Sequence, residues 1–193
     1  MNQAAFINLA LLALFGLQHS IMARKWFKEK CKLPKPRRTY ALATVAILIL
    51  IARFWQPMPE LAWRFQGAVA IGLYIVWTLG LQLILFGSMS INARELLGLA
   101  EPGPPEFHTP FLYTIVRHPI YLGAIFVIWS TPAMTHGRLL FASAMTLYIL
   151  IGIQFEERDL ERIFGDVYRV YKKRVPMLIP SLRRALPLPP PPR

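Results

Sequence analysis

The stretch at residues 113–123 reads Tyr113-Thr114-Ile115-Val116-Arg117-His118-Pro119-Ile120-Tyr121-Leu122-Gly123, and it carries an arginine and a histidine directly into a long apolar run. Ionisable side chains at a membrane boundary are costly, and they are tolerated where they reach the surface or hold something. A second polar cluster, Glu156-Glu157-Arg158-Asp159, ends the next apolar run. We expect the two clusters to face each other and to form the functional site.

The composition predicts a polytopic membrane protein. Of the 193 residues, 55% are hydrophobic and only 17% are charged, which is unlike a soluble domain. The formal net charge of +12 does not indicate a nucleic-acid partner, because basic residues between apolar runs usually set membrane topology. The single cysteine and four scattered histidines have no ligand-like spacing, so no metal site is predicted.

Five apolar runs predict an all-α fold with five transmembrane helices. The runs lie at residues 4–23, 40–56, 67–89, 119–134 and 137–155, near the length of about 20 residues that crosses a bilayer. A tight turn at residues 135–138 is expected to join the last two runs into a helical hairpin. Beyond residue 155, apolar residues recur at helical spacing beside a charged face, which predicts two short amphipathic helices separated at Gly165-Asp166.

The distribution of lysine and arginine predicts the orientation of the chain in the membrane. Most of these residues lie between the first two runs, between the third and fourth, and after the fifth. Only Arg53, Arg64 and Arg138 fall on the opposite side. The positive-inside rule then places the amino terminus outside and the carboxyl terminus in the cytoplasm. Because the first run has no preceding lysine or arginine, we do not expect a removable signal peptide.

The predicted hairpin brings Glu156 and Glu157 towards Arg117, His118 and Tyr121. The proline that follows His118 fits the first position of a helix, so backbone N–H groups and the positive end of the helix dipole would lie beside this histidine. A ligand with one anionic and one cationic end, such as an amino-acid moiety, suits that arrangement. The alternative is that Arg117 and the glutamates only pair with each other and lock the hairpin.

Several short blocks in the last part of the chain form one combined pattern. They are Arg117-His118-Pro119-Ile120-Tyr121-Leu122-Gly123, Glu156-Glu157-Arg158-Asp159-Leu160, Phe164-Gly165-Asp166-Val167-Tyr168 with Tyr171, and Val175-Pro176 followed by Pro180. This pattern resembles the carboxyl-terminal signature of the isoprenylcysteine carboxyl methyltransferase superfamily. Two earlier blocks, Phe15-Gly16-Leu17-Gln18-His19-Ser20-Ile21-Met22-Ala23-Arg24 and Trp129-Ser130-Thr131-Pro132-Ala133-Met134-Thr135, resemble its bacterial methanethiol S-methyltransferase and NnrU-like branch.

The resemblance implies an enzyme of the bacterial inner membrane that transfers a methyl group from S-adenosylmethionine to a small thiol or other lipophilic acceptor. It implies a single domain at residues 1–182, with the cofactor site within about 107–180 and a proline-rich tail at 183–193. Arg117 would lie between cofactor and acceptor, and His19 or solvent hydroxide would deprotonate the acceptor. The implied cofactor-binding residues are His118, Tyr121, Gly123, Glu156, Glu157 and Tyr168, with Tyr171 as a weaker candidate.

One departure from the branch pattern leaves the acceptor open. The segment after the third run reads Ile91-Asn92-Ala93-Arg94-Glu95-Leu96-Leu97-Gly98-Leu99, with Ala93 where the branch carries a histidine. A small thiol, a prenylated cysteine carboxylate, a lipid amine and other lipophiles therefore remain candidate acceptors. A non-catalytic scaffold that recruits a partner or anionic lipid is the competing class. A transporter is disfavoured because the runs show no internal repeat.

Overall fold

The computed structural model describes residues 3–31, 36–91 and 106–180. The predictions made for Ala93, Arg94 and the tail at 183–193 lie outside these residues. The described residues include two short strands, β1 (Leu61–Arg64) and β2 (Ala133–Thr135). The helices are α1 (Gln3–Ala23), α2 (Lys25–Cys31), α3 (Pro36–Phe54), α4 (Gly67–Ser90), α5 (Phe111–Ile115), α6 (Pro119–Trp129), α7 (His136–Phe164) and α8 (Asp166–Arg174).

The described residues are mostly helical, as the apolar runs predict. Three of the described helices, α1, α4 and α7, are long and apolar enough to cross a membrane. Helix α6 is apolar but has only 11 residues, and α3 is less apolar because it begins with arginines and includes Arg53. The coarse prediction of a helical membrane protein is confirmed, while the number of spans is not fixed by helix length.

The long helices pack side by side. Helix α1 lies between α3 and α7, α6 packs on α7, and α4 packs on α6. The contact between α4 and α6 is made by glycines: a Cβ added to Gly123 would stand 2.5 Å from the carbonyl oxygen of Gly80. In a bilayer, small residues of this kind let two helix backbones approach until van der Waals packing holds them.

The end of the molecule where α7 begins is closed by polar contacts and by a small sheet. Asn8, fully buried in α1, accepts a hydrogen bond from the Gln56 amide (2.8 Å) and donates one to the Gln56 carbonyl (2.9 Å). Strands β1 and β2 pair antiparallel. The His136 amide donates to the carbonyl of Glu60, and the Gly137 amide donates to the carbonyl of Met58. These hydrogen bonds join the segment after α3 to the start of α7.

This sheet corrects two predictions. Helix α6 ends at Trp129 rather than at residue 134, and the tight turn predicted at 135–138 is wrong because Thr135 ends β2 and caps α7. Pro132 cannot continue the helical hydrogen bonding. The chain around it pairs with the segment at 61–65 instead, which satisfies backbone groups that a bare loop would leave unpaired near the bilayer.

Helix α7 is longer than predicted and replaces one of the two expected amphipathic helices. It runs unbroken to Phe164, and within the described residues that follow, up to 180, only α8 forms a separate short helix. The charged residues after 155 were interpreted as a boundary, but glutamate, arginine and leucine are good helix formers. The helix stops at Gly165, which has a φ of 56°, a left-handed conformation that glycine adopts readily. The predicted break at Gly165-Asp166 is therefore confirmed.

Replacing Gly123 by alanine should destabilise the α4–α6 contact, because the new methyl group would meet the Gly80 backbone. We expect a loss of about 1–3 kcal/mol, as is typical of overpacking, seen as a lower midpoint of thermal unfolding in detergent. The control is Gly72→Ala, also in a long helix, where an added Cβ meets nothing within 4 Å. That variant should be neutral or gain up to about 1 kcal/mol; equal effects of the two changes would contradict the packing role.

Candidate active site

Glu157 lies at the centre of the buried polar group that joins α6, α7 and α8. The residue is only 2% exposed, and its Oε1 receives both Nε and Nη2 of Arg117 at 2.7 Å. The Nε2 of His118 lies 3.1 Å from the same oxygen. The other oxygen, Oε2, binds Nζ of Lys172 at 2.9 Å. The predicted approach of Glu157 to Arg117 and His118 is confirmed, and Lys172 completes the group.

Arg117 also holds the segment that follows α8. Its Nη1 donates to the carbonyl oxygens of Lys172 (3.0 Å) and Val175 (2.5 Å). The backbone amide of Arg117 donates to the carbonyl oxygen of Pro176, and the amide of His118 donates to the carbonyl oxygen of Met177. The chain after α8 thus runs alongside the entry to α6, and one guanidinium bonds to both α7 and this segment.

Local sequence explains why Arg117 and His118 lie at a helix entry. Pro119 occupies the first turn of α6, as predicted, and His118 is the residue before the helix. A residue that precedes proline is disfavoured in helical conformation, and His118 has a φ of −127°. The two polar side chains therefore emerge where the chain turns into the apolar helix.

Glu156 and Tyr121 form a second, more accessible contact beside this buried group. The Tyr121 hydroxyl donates to Oε2 of Glu156 at 2.8 Å, and its ring stacks on His118 with 5.6 Å between centroids. Glu156 is exposed, and its Oε1 has no partner within the part of the chain that the structure describes. Gly123, one turn along α6 from His118, contacts α4 instead of this group.

Tyr168 and Tyr171 pack in an aromatic cluster with Phe107 and Phe164. The Tyr171 hydroxyl donates to a backbone carbonyl of α5 at 2.6 Å. Tyr168 is 2% exposed, yet its hydroxyl has no hydrogen-bond partner among the described residues. Burial, together with the nearby charge of Glu157, raises the pKa of Tyr168 well above its ordinary value, although the neighbouring Arg117 guanidinium acts in the opposite direction, so the hydroxyl stays protonated.

Lys172 was not predicted as part of the site. Its Nζ bridges Glu157 and Glu161, each at 2.9 Å. Hydrogen bonds to these carboxylates raise the pKa of Lys172, so the ammonium stays charged. In the sequence Lys172 resembles the other cations on the polar face of α8. What distinguishes it is its contact with Glu157 of α7, which the sequence does not reveal.

His19 lies in a separate group formed by α1, α3 and α7. The Tyr40 hydroxyl is 2.6 Å from Nε2 of His19, and the rings of Phe15 and Tyr148 pack against the imidazole. Sequence reasoning singled out His19 but missed Tyr40 and Tyr148, which carry no motif. Arg24, which directly follows α1, lies over the Phe155 ring at 4.6 Å and pairs with Asp159 at 3.4 Å, so the end of α1 that carries His19 lies beside the turn of α7 that carries Glu156.

Residues 3–31, 36–91 and 106–180 contain no cluster of three histidine, cysteine, aspartate or glutamate side chains that could hold a metal ion. What the geometry offers instead is one exposed carboxylate, one unsatisfied buried hydroxyl and a helix start within the same region. Such groups suit the ammonium and carboxylate ends of an amino-acid moiety.

Several known proteins are similar to this chain over most of its length. The methanethiol S-methyltransferase 1 of Bradyrhizobium diazoefficiens is 45% identical over 195 residues, covering 94% of this chain and 68% of the relative. The methanethiol S-methyltransferases of Pseudomonas deceptionensis and Mycobacterium tuberculosis are each 42% identical, covering 74% and 79% of those proteins. Nurim of Xenopus laevis is more distant, at 30% identity over 79% of this chain and 61% of its own length. No protein-family model and no solved structure matches the chain.

Replacing Glu157 by glutamine should destabilise the protein strongly. The change leaves the buried Arg117 guanidinium without its counter-charge, and breaking a buried pair typically costs about 3–5 kcal/mol. Thermal unfolding in detergent measures the loss. Glu161→Gln is the matched control, because it removes the other carboxylate on Lys172 at a position that is 30% exposed, where about 1 kcal/mol or less is expected. A Glu157 variant as stable as the Glu161 variant would contradict the central role of this carboxylate.

Proposed function

The chain belongs to the methanethiol S-methyltransferase family and is a membrane methyltransferase, and from this premise we propose that S-adenosylmethionine is its methyl donor and a small thiol its acceptor. The observation that supports the donor is the exposed carboxylate of Glu156, held by Tyr121 beside the buried Arg117–Glu157 centre. The names of the relatives support the acceptor, since each is called a methanethiol S-methyltransferase.

We propose that Glu156, Tyr121 and Tyr168 contact the donor. The open Oε1 of Glu156 suits the ammonium of the amino-acid end, because a charge-assisted hydrogen bond forms there without breaking an existing one. The donor's carboxylate suits the start of α6 and the unsatisfied hydroxyl of Tyr168. This division agrees with the predicted cofactor residues Tyr121, Glu156 and Tyr168.

The remaining predicted site residues take a different place in the proposal. Arg117, His118 and Glu157 bond mainly to one another and to the backbone, so we assign them to the frame that fixes the donor site. Gly123 belongs to the same frame through its contact with α4. Their effect on methyl transfer is therefore exerted through the positions of Tyr121 and Glu156, which sit on the same two helices.

Positioning and exclusion of water are the main tasks of this chain's residues. S-adenosylmethionine, when bound, supplies a methyl group on a positively charged sulfur. Transfer to a thiolate is an in-line displacement, so holding the acceptor at near-attack distance lowers the barrier. The charges of sulfonium and thiolate cancel as the reaction proceeds, and the half-buried aromatic surroundings of Tyr121 and His19 limit the water that would stabilise these charges beforehand.

We also propose that all five long or apolar helices cross the membrane, with the amino terminus outside and the donor site at the cytoplasmic face. The asymmetric distribution of lysine and arginine supports this orientation. The carboxyl-terminal helix α8 and the segment after it pack on the entry to α6, so both clusters share one face. Helix α6 with 11 residues spans only part of the bilayer, and the segment to β2 completes that crossing.

Calorimetry with S-adenosylhomocysteine tests the donor site. The wild-type protein should bind, and Glu156→Gln should bind about 10- to 100-fold more weakly, because a hydrogen bond to a charged group contributes about 1.5–3 kcal/mol. The control is Glu60→Gln, at an exposed glutamate on the other end of the molecule, which should bind like the wild type. Transfer of labelled methyl to methanethiol then tests the acceptor. Absence of binding to well-folded wild-type protein would overturn the proposed donor.

The single cysteine of the chain allows a direct test of orientation. Cys31 is free and exposed, and the proposed topology places it in the cytoplasm. A membrane-impermeant maleimide should therefore label it in permeabilised cells but not in intact spheroplasts. Glu60→Cys in a Cys31→Ser background should be labelled in intact spheroplasts as well as in permeabilised cells, and labelling of Cys31 in intact spheroplasts would contradict the orientation.

A further inference from the structure

We propose that the hydroxyl of Tyr40 relays the acceptor's proton to His19, so that these two residues together act as the general base for the thiol. The inference rests on the proposed function, because it assigns the acceptor side of the same site. It adds Tyr40, a residue that no motif indicates, and it gives His19 a defined route to the substrate.

The contacts around His19 make Tyr40 the route to its nitrogens. The Tyr40 hydroxyl is 2.6 Å from Nε2 and 2.9 Å from Nδ1 of His19. One O–H group donates to one ring nitrogen at a time, and the shorter contact is the one to Nε2. Phe15 stacks on the ring at a centroid distance of 5.3 Å, and Tyr148 packs against it in a T-shaped contact at 6.3 Å. Of the three side chains, Tyr40 is the one that hydrogen-bonds to the imidazole, so a proton path to His19 runs through the Tyr40 oxygen.

The position of the pair suits an acceptor next to the proposed donor. Arg24 directly follows α1 and pairs with Asp159 of α7 at 3.4 Å. The end of α1 that carries His19 therefore lies beside the turn of α7 that carries Glu156, which accepts a hydrogen bond from Tyr121. His19 and Tyr40 are half-buried, so a small apolar thiol can reach them through the apolar helix layer. A proton acceptor and the donor-binding carboxylate thus lie on the two sides of one small region between α1, α3, α6 and α7.

The other charged and titratable groups near Tyr40 and His19 are engaged in contacts of their own, so His19 is the group that can accept the proton. From α7, Tyr148 shares a hydrogen bond with Ser20, and Asp159 pairs with Arg24 at 3.4 Å. From α6 and the end of α7, Tyr121 and Glu156 bond to each other. Within the described chain no carboxylate contacts His19. The imidazole is therefore free to stay neutral before the reaction and to take up one proton.

The proposed step balances in atoms and charge. The thiol S–H bond breaks and its proton passes to the Tyr40 oxygen, while the Tyr40 proton passes to a ring nitrogen of His19. The resulting thiolate sulfur forms a bond to the methyl carbon, and the bond from that carbon to the donor sulfur breaks with its electron pair remaining on that sulfur. The imidazolium then releases its proton to water. Ordinary thiols have a pKa above neutrality, so a base raises the fraction of thiolate present at the site.

The test compares two thiols of similar size and different acidity, ethanethiol and 2,2,2-trifluoroethanethiol, using labelled donor over a range of pH. General-base catalysis contributes about 100- to 10,000-fold, so Tyr40→Phe and His19→Gln should lower kcat/KM for ethanethiol at neutral pH by about 100-fold or more. The loss should shrink to a few fold with the acidic thiol, because its lower pKa already makes a substantial fraction of it thiolate at neutral pH. It should also shrink as the pH rises, since hydroxide then replaces the base.

Two controls separate this role from a structural one. Calorimetry should show S-adenosylhomocysteine binding unchanged in both variants, and Tyr74→Phe, an exposed tyrosine of α4, should behave like the wild type. Equal losses with the two thiols, or losses independent of pH, would overturn the relay and leave the proposed function standing. A wild-type protein that binds S-adenosylhomocysteine but methylates neither thiol would overturn the relay together with the proposed acceptor.

Discussion

The buried carboxylate of Glu157 is the interaction on which the rest of the site depends. Taking a carboxylate out of water costs several kcal/mol unless cations and hydrogen bonds surround it. Arg117 and Lys172 supply the positive charge, and His118 supplies a further hydrogen bond to the same carboxylate. Since these partners come from the entry to α6 and from α8, neutralising one charge fixes three helices and the segment after them. Arg117 extends the same constraint to the backbone carbonyls around Val175.

The periodicity of an α-helix explains why two adjacent glutamates differ so much. Neighbouring residues point about 100° apart around the helix axis, so when Glu157 faces the interior Glu156 faces outward. The inner carboxylate is saturated by partners on other helices, whereas the outer one bonds to Tyr121 and keeps an open oxygen. The hydrogen-bonded group around Glu157 therefore lies directly beside the Glu156 carboxylate, which remains accessible to a ligand.

Functional groups gather at one end of the helix layer, and the other end is closed structurally. Asn8 and the β1–β2 sheet join the start of α1 and the start of α7 to the segment after α3. The glycine contact between α4 and α6 then fixes the edge of the layer. With α1 and α7 packed together, His19 meets Tyr148 about two turns of α7 before Glu156. The donor side at Glu156 and the acceptor side at His19 are thus positioned by the β1–β2 sheet and the α4–α6 contact, which are distant from both.

Residue patterns along the chain are enough to predict the helical membrane class, the start of α6 at Pro119, the break at Gly165, and the approach of the glutamates to Arg117, His118 and Tyr121. These follow from apolar run length, proline and glycine geometry, and the adjacency of consecutive antiparallel helices, all of which are local properties of the chain. The same patterns do not predict that α7 continues to Phe164, that β1 pairs with β2, or that Lys172 and Tyr40 complete the two polar groups. The physical reason is that these contacts join elements distant in sequence. Which face of one helix meets which face of another is set by packing and by the need to satisfy buried charges and backbone groups.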